Sequence, residues 1–284
     1  MTRMEEPLLQ IAMLCYMAGV VGYAIRLAQN STRTGWVASA CAALGLVLHT
    51  ASIVSRGISA GHAPVVSMYE YLVAFAWMVV LAYLVFERRS PAPVQGAGAL
   101  ALLVAVGLLG YASNLPSHLK QPEALMPVLK SNWLVFHVSV AVVGYAAATL
   151  ATALAALYFL SAHAQRRQVR WLLARLPAAP VLDQAVYRCV RFAFPFLTLV
   201  NVTGAVWAFN AWGRYWGWDP KETWSLITWI TFTFYLHARL RAGWRAPQVN
   251  AVVLVGLATI MFTFLGVNQL ASFSDSLHSY AAGN

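Results

Sequence analysis

The segment from Trp207 to Trp229 reads WAFNAWGRYWGWDPKETWSLITW and carries six tryptophans. Apolar runs flank it, and one charged knot, Asp219-Pro220-Lys221-Glu222, interrupts it. The knot reads as the start of a helix. Asp219 takes the N-cap, Pro220 suits the first helical position, and Glu222 stands at the third, completing a capping box. That local role explains the spacing of the two acids without any catalysis. The stretch before it is then a loop between two apolar helices. Tryptophan gathers at membrane interfaces, but Trp212, Trp216 and Trp218, with Tyr215 among them and Gly213 and Gly217 between, are denser than an aromatic belt requires. Glycines allow close backbone approach, and indoles offer broad rigid faces with one polar edge. The loop therefore describes a shelf for a flat apolar ligand. A porphyrin fits that description, and a quinone ring fits it less well. Arg214 and Lys221 are candidate partners for carboxylates such as haem propionates, Arg214 being the better bidentate donor.

Outward from the loop, the chain is an all-α polytopic membrane protein. Of its 284 residues 60% are hydrophobic and 10% charged, against about 25% charged in a soluble domain. Eight apolar spans are expected, at roughly 8–27, 36–54, 69–86, 96–113, 132–160, 191–211, 222–240 and 249–269, several reaching the ~20 residues that cross a bilayer. The Trp-rich loop joins the sixth to the seventh. The first span, led by Glu5 and Glu6, lacks the small-residue cleavage site of a signal peptide.

The spans make one membrane domain over 1–284, with a basic connection at 161–190 and the Trp-rich segment at 207–229. The basic connection includes RRQVRWLLARL, whose Trp and Leu beside Arg suggest an amphipathic helix on the membrane surface. One alternating set of connections holds thirteen Lys and Arg residues, from Arg26 and Arg33 through Arg88, Arg89 and the 166–191 cluster to Arg245; the other set holds six. By the positive-inside rule the richer set faces the cytoplasm. Both termini and the Trp-rich loop then lie outside. The net charge of +10 is mainly this topology signal, and its scatter over loops argues against nucleic-acid binding. Cys15, Cys41 and Cys189 form no C-x-x-C, so neither a disulfide framework nor covalent haem attachment to this chain is expected.

A haem would need axial ligands, and there are seven histidines. His137 lies about a turn inside the outer end of the fifth span, and His278 lies just past the outer end of the last. His237 is near the inner end of the seventh span, His49 within the second, His62 and His118 in outer loops, and His163 inside. Ionisable groups at membrane depth are costly and mark function by default, which favours His137, His49 and His237. A single histidine near a span end also often only bonds a neighbouring helix. By spacing, His62 or His118 could replace His278.

GAVWAFNAWGRYWGWDPKETWSLITWITFTFYLHAR resembles the WWD signature of the haem-handling proteins of cytochrome c maturation. HTASIVSRGISAGHAPVVSMYEYLVAFAW, SNWLVFHVSVAVVGYA and the closing LHSY resemble one branch of them, the CcsA (ResC) family of the two-subunit system II. The resemblance covers most of the chain.

It implies a haem-attachment role. His137 and His278 would ligate an outer haem iron. The loop from Trp212 to Trp224, with Trp216, Trp218, Asp219 and Arg214, would pack around that haem. His237 would hold an inner haem whose opposite ligand comes from a CcsB (ResB) partner subunit. The haem would be haem b, held transiently and without covalent bonds. The remaining partners would be an apocytochrome c carrying C-x-x-C-H, thiol-reducing proteins and the lipid bilayer. The setting would be a bacterial inner membrane, with the loop and both termini periplasmic; a thylakoid membrane is the other setting. This chain would belong to a lyase of the holocytochrome c synthase type, positioning reactants and supplying no nucleophile. A haem exporter without attachment activity and a b-type electron-transfer subunit are the competing readings. Neither the paired inverted repeats of a transporter nor repeated facing histidine pairs stand out in the sequence.

Overall fold

A computed structural model describes residues 4–29, 31–90, 94–121 and 131–267. Among the described residues there are helices and no strands. Helix α1 spans Glu5–Gln29, α2 Thr32–Ala60, α3 Met68–Arg89, α4 Gln95–Ser113, α5 Ser117–Lys120, α6 Asn132–Arg166, α7 Arg170–Leu173, α8 Ala179–Trp212, α9 Pro220–Leu240 and α10 Ala246–Met261; α10 runs on into a π-helical turn, Phe262–Gly266.

Seven of these helices, counting α10 with its π turn, are long and apolar enough to cross a membrane. The chain is an integral membrane protein. The remaining expected span, the seventh in order, is α9, a continuous helix of 21 residues, but it is not apolar enough to be counted with these seven helices. Its first turns carry Lys221, Glu222, Thr223 and Ser225.

The helices end where local chemistry ends them. α2 starts at Ser31, whose hydroxyl accepts the Thr34 N–H, and stops at Gly61, in the left-handed region at φ 71°. α3 opens with a full capping box between Ser67 and Glu70. α8 stops at Gly213, φ 72°, whose N–H donates to the Phe209 carbonyl, the αL cap that glycine takes without a Cβ penalty.

Helix α6 is the axis of the bundle. In its membrane window 89% of residues are buried, against 28% in α1 and in α2, so α1 and α2 present their outer faces to lipid. α6 and α8 run antiparallel in close contact. A Cβ on Gly144 would lie 3.0 Å from Phe196 Cβ and 3.3 Å from the Leu197 nitrogen. One heptad along, a Cβ on Gly204 would lie 3.0 Å from Cε1 of His137. Small residues let helix backbones approach in a membrane, where dispersion must replace the hydrophobic drive. At the lower glycine the space is filled by backbone, at the upper one by an imidazole.

Three polar ties, buried or part-buried, lock the bundle. Glu87 accepts from Ser39 and Tyr23 across α1, α2 and α3. Arg56 joins Glu5 at 3.0 Å and Glu70 at 2.9 Å. At the far end, Arg239 of α9 makes two bonds to Asp183 of α8, at 2.8 and 2.7 Å, and Asn250 of α10 donates to the same carboxylate at 2.7 Å.

The connection expected over 161–190 is shorter in the structure. α6 continues to Arg166, α8 begins at Ala179, and the surface helix reduces to one turn, Arg170–Leu173. α6 and α8 have 35 and 34 residues, about 50 Å each at 1.5 Å per residue. Each outruns the ~30 Å hydrocarbon layer, and the overhang takes up the basic stretch. Gln168, at φ 54°, makes the break between them.

Candidate functional site

The N-terminal ends of α3, α6 and α9 meet the C-terminal ends of α8 and α10 around one open cleft. It is lined by Tyr145, Val142, Thr263 and Phe264, by His137, Ala141, Val200 and Gly204 of the α6–α8 contact, and by Trp207, Tyr215, Trp216, Lys221, Glu222 and Tyr71. Room for the centre of a water molecule inside it is about 120 Å³, and the empty space counted out to its open mouth is about 890 Å³. Small-molecule sites run ~300–1,000 Å³; only the larger figure falls in that range, because it takes in space on the open side. The cleft is open-sided. It accepts one edge of a broad guest and leaves the other edge outside.

The loop over the cleft is held by its acids. Glu222 accepts the Gly217 N–H at 2.8 Å and the Asp219 N–H at 3.1 Å, and Asp219 accepts the Lys221 N–H at 2.9 Å. The residue between the two bonds to Glu222 is Trp218, in the left-handed region at φ 57° and 70% exposed. A bulky side chain rarely adopts that backbone, and here it stands out from the protein. Trp216 meets Trp218 edge to face at 5.6 Å.

The expected site residues separate by surroundings. His137 and Trp216 line the cleft. Asp219 is buried as the cap of α9 and ties the loop. Trp212 packs edge-on against Trp207 at 4.8 Å, in a small apolar cluster with Leu134 and Val66. Trp224 lies over Phe262 at 4.0 Å. Arg214 is exposed, its guanidinium folded against Gly217, where a Cβ would meet it at 2.6 Å. His237 is exposed in the last turn of α9, about 24 Å along the helix from Lys221 at 1.5 Å per residue. Phe234 and Trp244, in edge contact at 5.2 Å, stand at the same end. His278 lies outside the described residues.

Of the other histidines, His49 is fully buried, with Nδ1 3.1 Å from the Tyr16 hydroxyl. His62 has Nδ1 3.0 Å from the Ala63 carbonyl. His118 and His163 are exposed.

Several cleft residues are not apparent from sequence reading, above all Tyr71, Tyr145, Asn201 and Phe264. Tyr71 follows the Ser67–Glu70 capping box directly, and the Lys221 ammonium sits 5.3 Å from its ring centre. Phe264 packs against Tyr71, Phe75 and Tyr145 in the π-helical turn, a local form that recurs at functional sites. That turn would be the available signal for Phe264, and a π turn cannot be read from sequence period.

The donor set suits a haem. Among the described residues the cleft presents the imidazole of His137 in a mainly apolar and aromatic lining, with Lys221 and Glu222 among the polar groups. The glycine opposite the imidazole leaves room for the ring. Fold and cleft together define a class: a polytopic helical membrane protein with an open aromatic site at one end of its bundle.

The chain belongs to the Cytochrome C assembly protein family, whose sequence pattern matches residues 65–274, and so to the proteins of cytochrome c maturation. It is similar to the cytochrome c biogenesis protein CcsA of Parasynechococcus marenigrum, with 36% identity over 274 residues, 88% of each chain. It is similar also to that of Synechococcus elongatus, with 33% identity over 94% of this chain and 92% of the relative. Among solved structures the cytochrome c haem lyase CcmF shares its fold, with a TM-score of 0.72 at 19% identity over 93% of this chain and 47% of that one.

Proposed function

We propose that this protein receives haem, carries it to the cleft and presents it there to an apocytochrome c for covalent attachment. Haem is cargo, bound transiently as haem b. The carrying observation is the imidazole of His137 set in the wall of an open aromatic cleft beneath the tryptophan loop.

In this reading haem first binds at His237, with an opposite histidine from a CcsB (ResB) partner. The exposure of His237 supports that, because an outward imidazole is half of a site that a second chain can complete. Haem then passes to the outer site between His137 and His278. An edge of the macrocycle stays exposed there, as the open-sided cleft favours. The two reduced thiols of a C-x-x-C-H segment add across the two vinyl groups, each thiol giving its proton to the vinyl carbon as its sulfur bonds to the other. The histidine of the substrate then replaces one of the two ligands. The contribution of this chain is position, and near-attack alignment can supply about 7–11 kcal/mol of a barrier. Thiol-reducing proteins keep the substrate cysteines ready. The orientation that fits is cleft and termini outside, in a bacterial inner membrane.

The test is the visible absorption spectrum of the chain purified with its partner, native and as His137→Ala, His278→Ala and His237→Ala. Six-coordinate haem in the native protein, lost in the two outer variants and restored by added imidazole, is the expected result. Identical haem in all four proteins overturns the ligand set. Export without attachment would appear as haem outside the membrane and no thioether in a co-expressed apocytochrome.

A further inference from the structure

We infer that Thr203 is a positioning residue: it holds His137 in the tautomer that protonates Nδ1, so that Nε2 is the ring atom that ligates iron. This rests on the reading of His137 as a ligand. His137 Nδ1 lies 3.0 Å from Thr203 Oγ1. Distance alone leaves two assignments, because a neutral imidazole nitrogen either donates or accepts. The other contact of the hydroxyl decides between them. Thr203 Oγ1 is 2.6 Å from the Leu199 carbonyl oxygen, one turn back in α8. Two oxygens that close need a proton between them, and a carbonyl has none to give. The single Thr203 hydroxyl proton is therefore spent on Leu199. Towards His137 the oxygen offers only a lone pair, and Nδ1 must carry the hydrogen that meets it.

Three further features make this a fixed setting. Thr203 is buried, 4% exposed, which limits the access of water to its hydroxyl. Its χ1 freedom is restricted by β-branching and by the back-bond to Leu199. The next residue is Gly204, where a Cβ would lie 3.0 Å from His137 Cε1 and 3.4 Å from Nδ1, so the Cε1 side of the ring packs against α8 at the glycine. A hydrogen bond at the far nitrogen of a ligating histidine fixes ring orientation and raises its basicity, and removing such a partner typically costs about 10–100-fold in metal affinity.

The test compares Thr203→Val, which keeps the shape and removes the acceptor, with Thr203→Ser, which keeps the hydroxyl. The full chain with its partner is labelled with ¹⁵N-histidine in lipid, and the His137 signals are assigned by their loss in His137→Ala. In the haem-free native protein and in Thr203→Ser, Nδ1 should be protonated. In Thr203→Val that preference should be lost. Titrated with haemin, Thr203→Val should bind about tenfold more weakly or worse, with a higher midpoint potential because a less basic ligand favours ferric iron less. Thr203→Ser should match native on both counts. Protonated Nε2 in the native protein, or an unchanged tautomer and potential in Thr203→Val, overturns the inference. If His137→Ala binds haemin as native does, the ligation reading falls instead, and the ¹⁵N spectra still decide what Thr203 does to the ring.

Discussion

At the scale of single residues, the tryptophan loop separates groups that shape the site from groups proposed to touch the guest. Asp219 and Glu222 shape it. Asp219→Ala removes the α9 cap and should cost about 1 kcal/mol, whereas Asn caps nearly as well. Asp219→Asn should therefore unfold at the native temperature and retain native haem. Haem loss in Asp219→Asn without loss of stability would show that the carboxylate itself meets the guest. Trp218 is the opposite case. It is 70% exposed, so truncating it removes little packing, and Trp218→Ala should leave the melting temperature within a degree or two. Haem should nevertheless dissociate several-fold faster, since a stacked aromatic pair is worth about 0.5–1.5 kcal/mol. An unchanged dissociation rate would assign the indole to the membrane interface alone.

At the scale of helices, the contact between α6 and α8 sets the site, and Gly204 sets the contact. Gly204→Ala should move the His137 ring and strain the pairing by about 1–3 kcal/mol, the usual cost of overpacking. Gly144→Ala, one heptad away, should carry a similar stability cost without touching the ring. Haem spectra separate the two: altered coordination in Gly204→Ala only is expected, and equal spectra in both would remove Gly204 from the site. This contact also marks where sequence reading stops. Asp219–Glu222 was legible because a cap is made within four residues. The apolar helices were legible because a span announces itself by length. The facing of His137 with Gly204 depends on the register of two long helices, and nothing in either helix alone fixes a register. Tyr71 and Phe264 reach the cleft from opposite ends of the chain, so no local period links them to it. The surface helix at 170–173 shrank for a related reason, since Leu-rich basic sequence continues a long helix as readily as it starts a new one.

At the scale of the whole molecule, α9 spans the distance between the two proposed haem positions. Its N-terminal end contributes Lys221 and Glu222 to the cleft, and its C-terminal end presents His237. The Asp183–Arg239–Asn250 tie fixes that C-terminal end to α8 and α10, with Arg239 turned towards the bundle and His237, two residues earlier, turned out. Two separate sites on one rigid helix predict an order of events that mutations can read. If haem moves from the His237 site to the His137 site, then His237→Ala should leave both sites empty in cells, while its cleft still takes haemin added from outside. His137→Ala should do the reverse, with haem held at the inner position and none at the outer. The double variant should resemble His237→Ala in cells, because the earlier step masks the later. Pigment content of membranes and haemin titration of purified protein together distinguish these patterns. Full outer-site loading in His237→Ala cells would break the sequence, and haem would then have to reach the cleft from the outer side without passing along this chain.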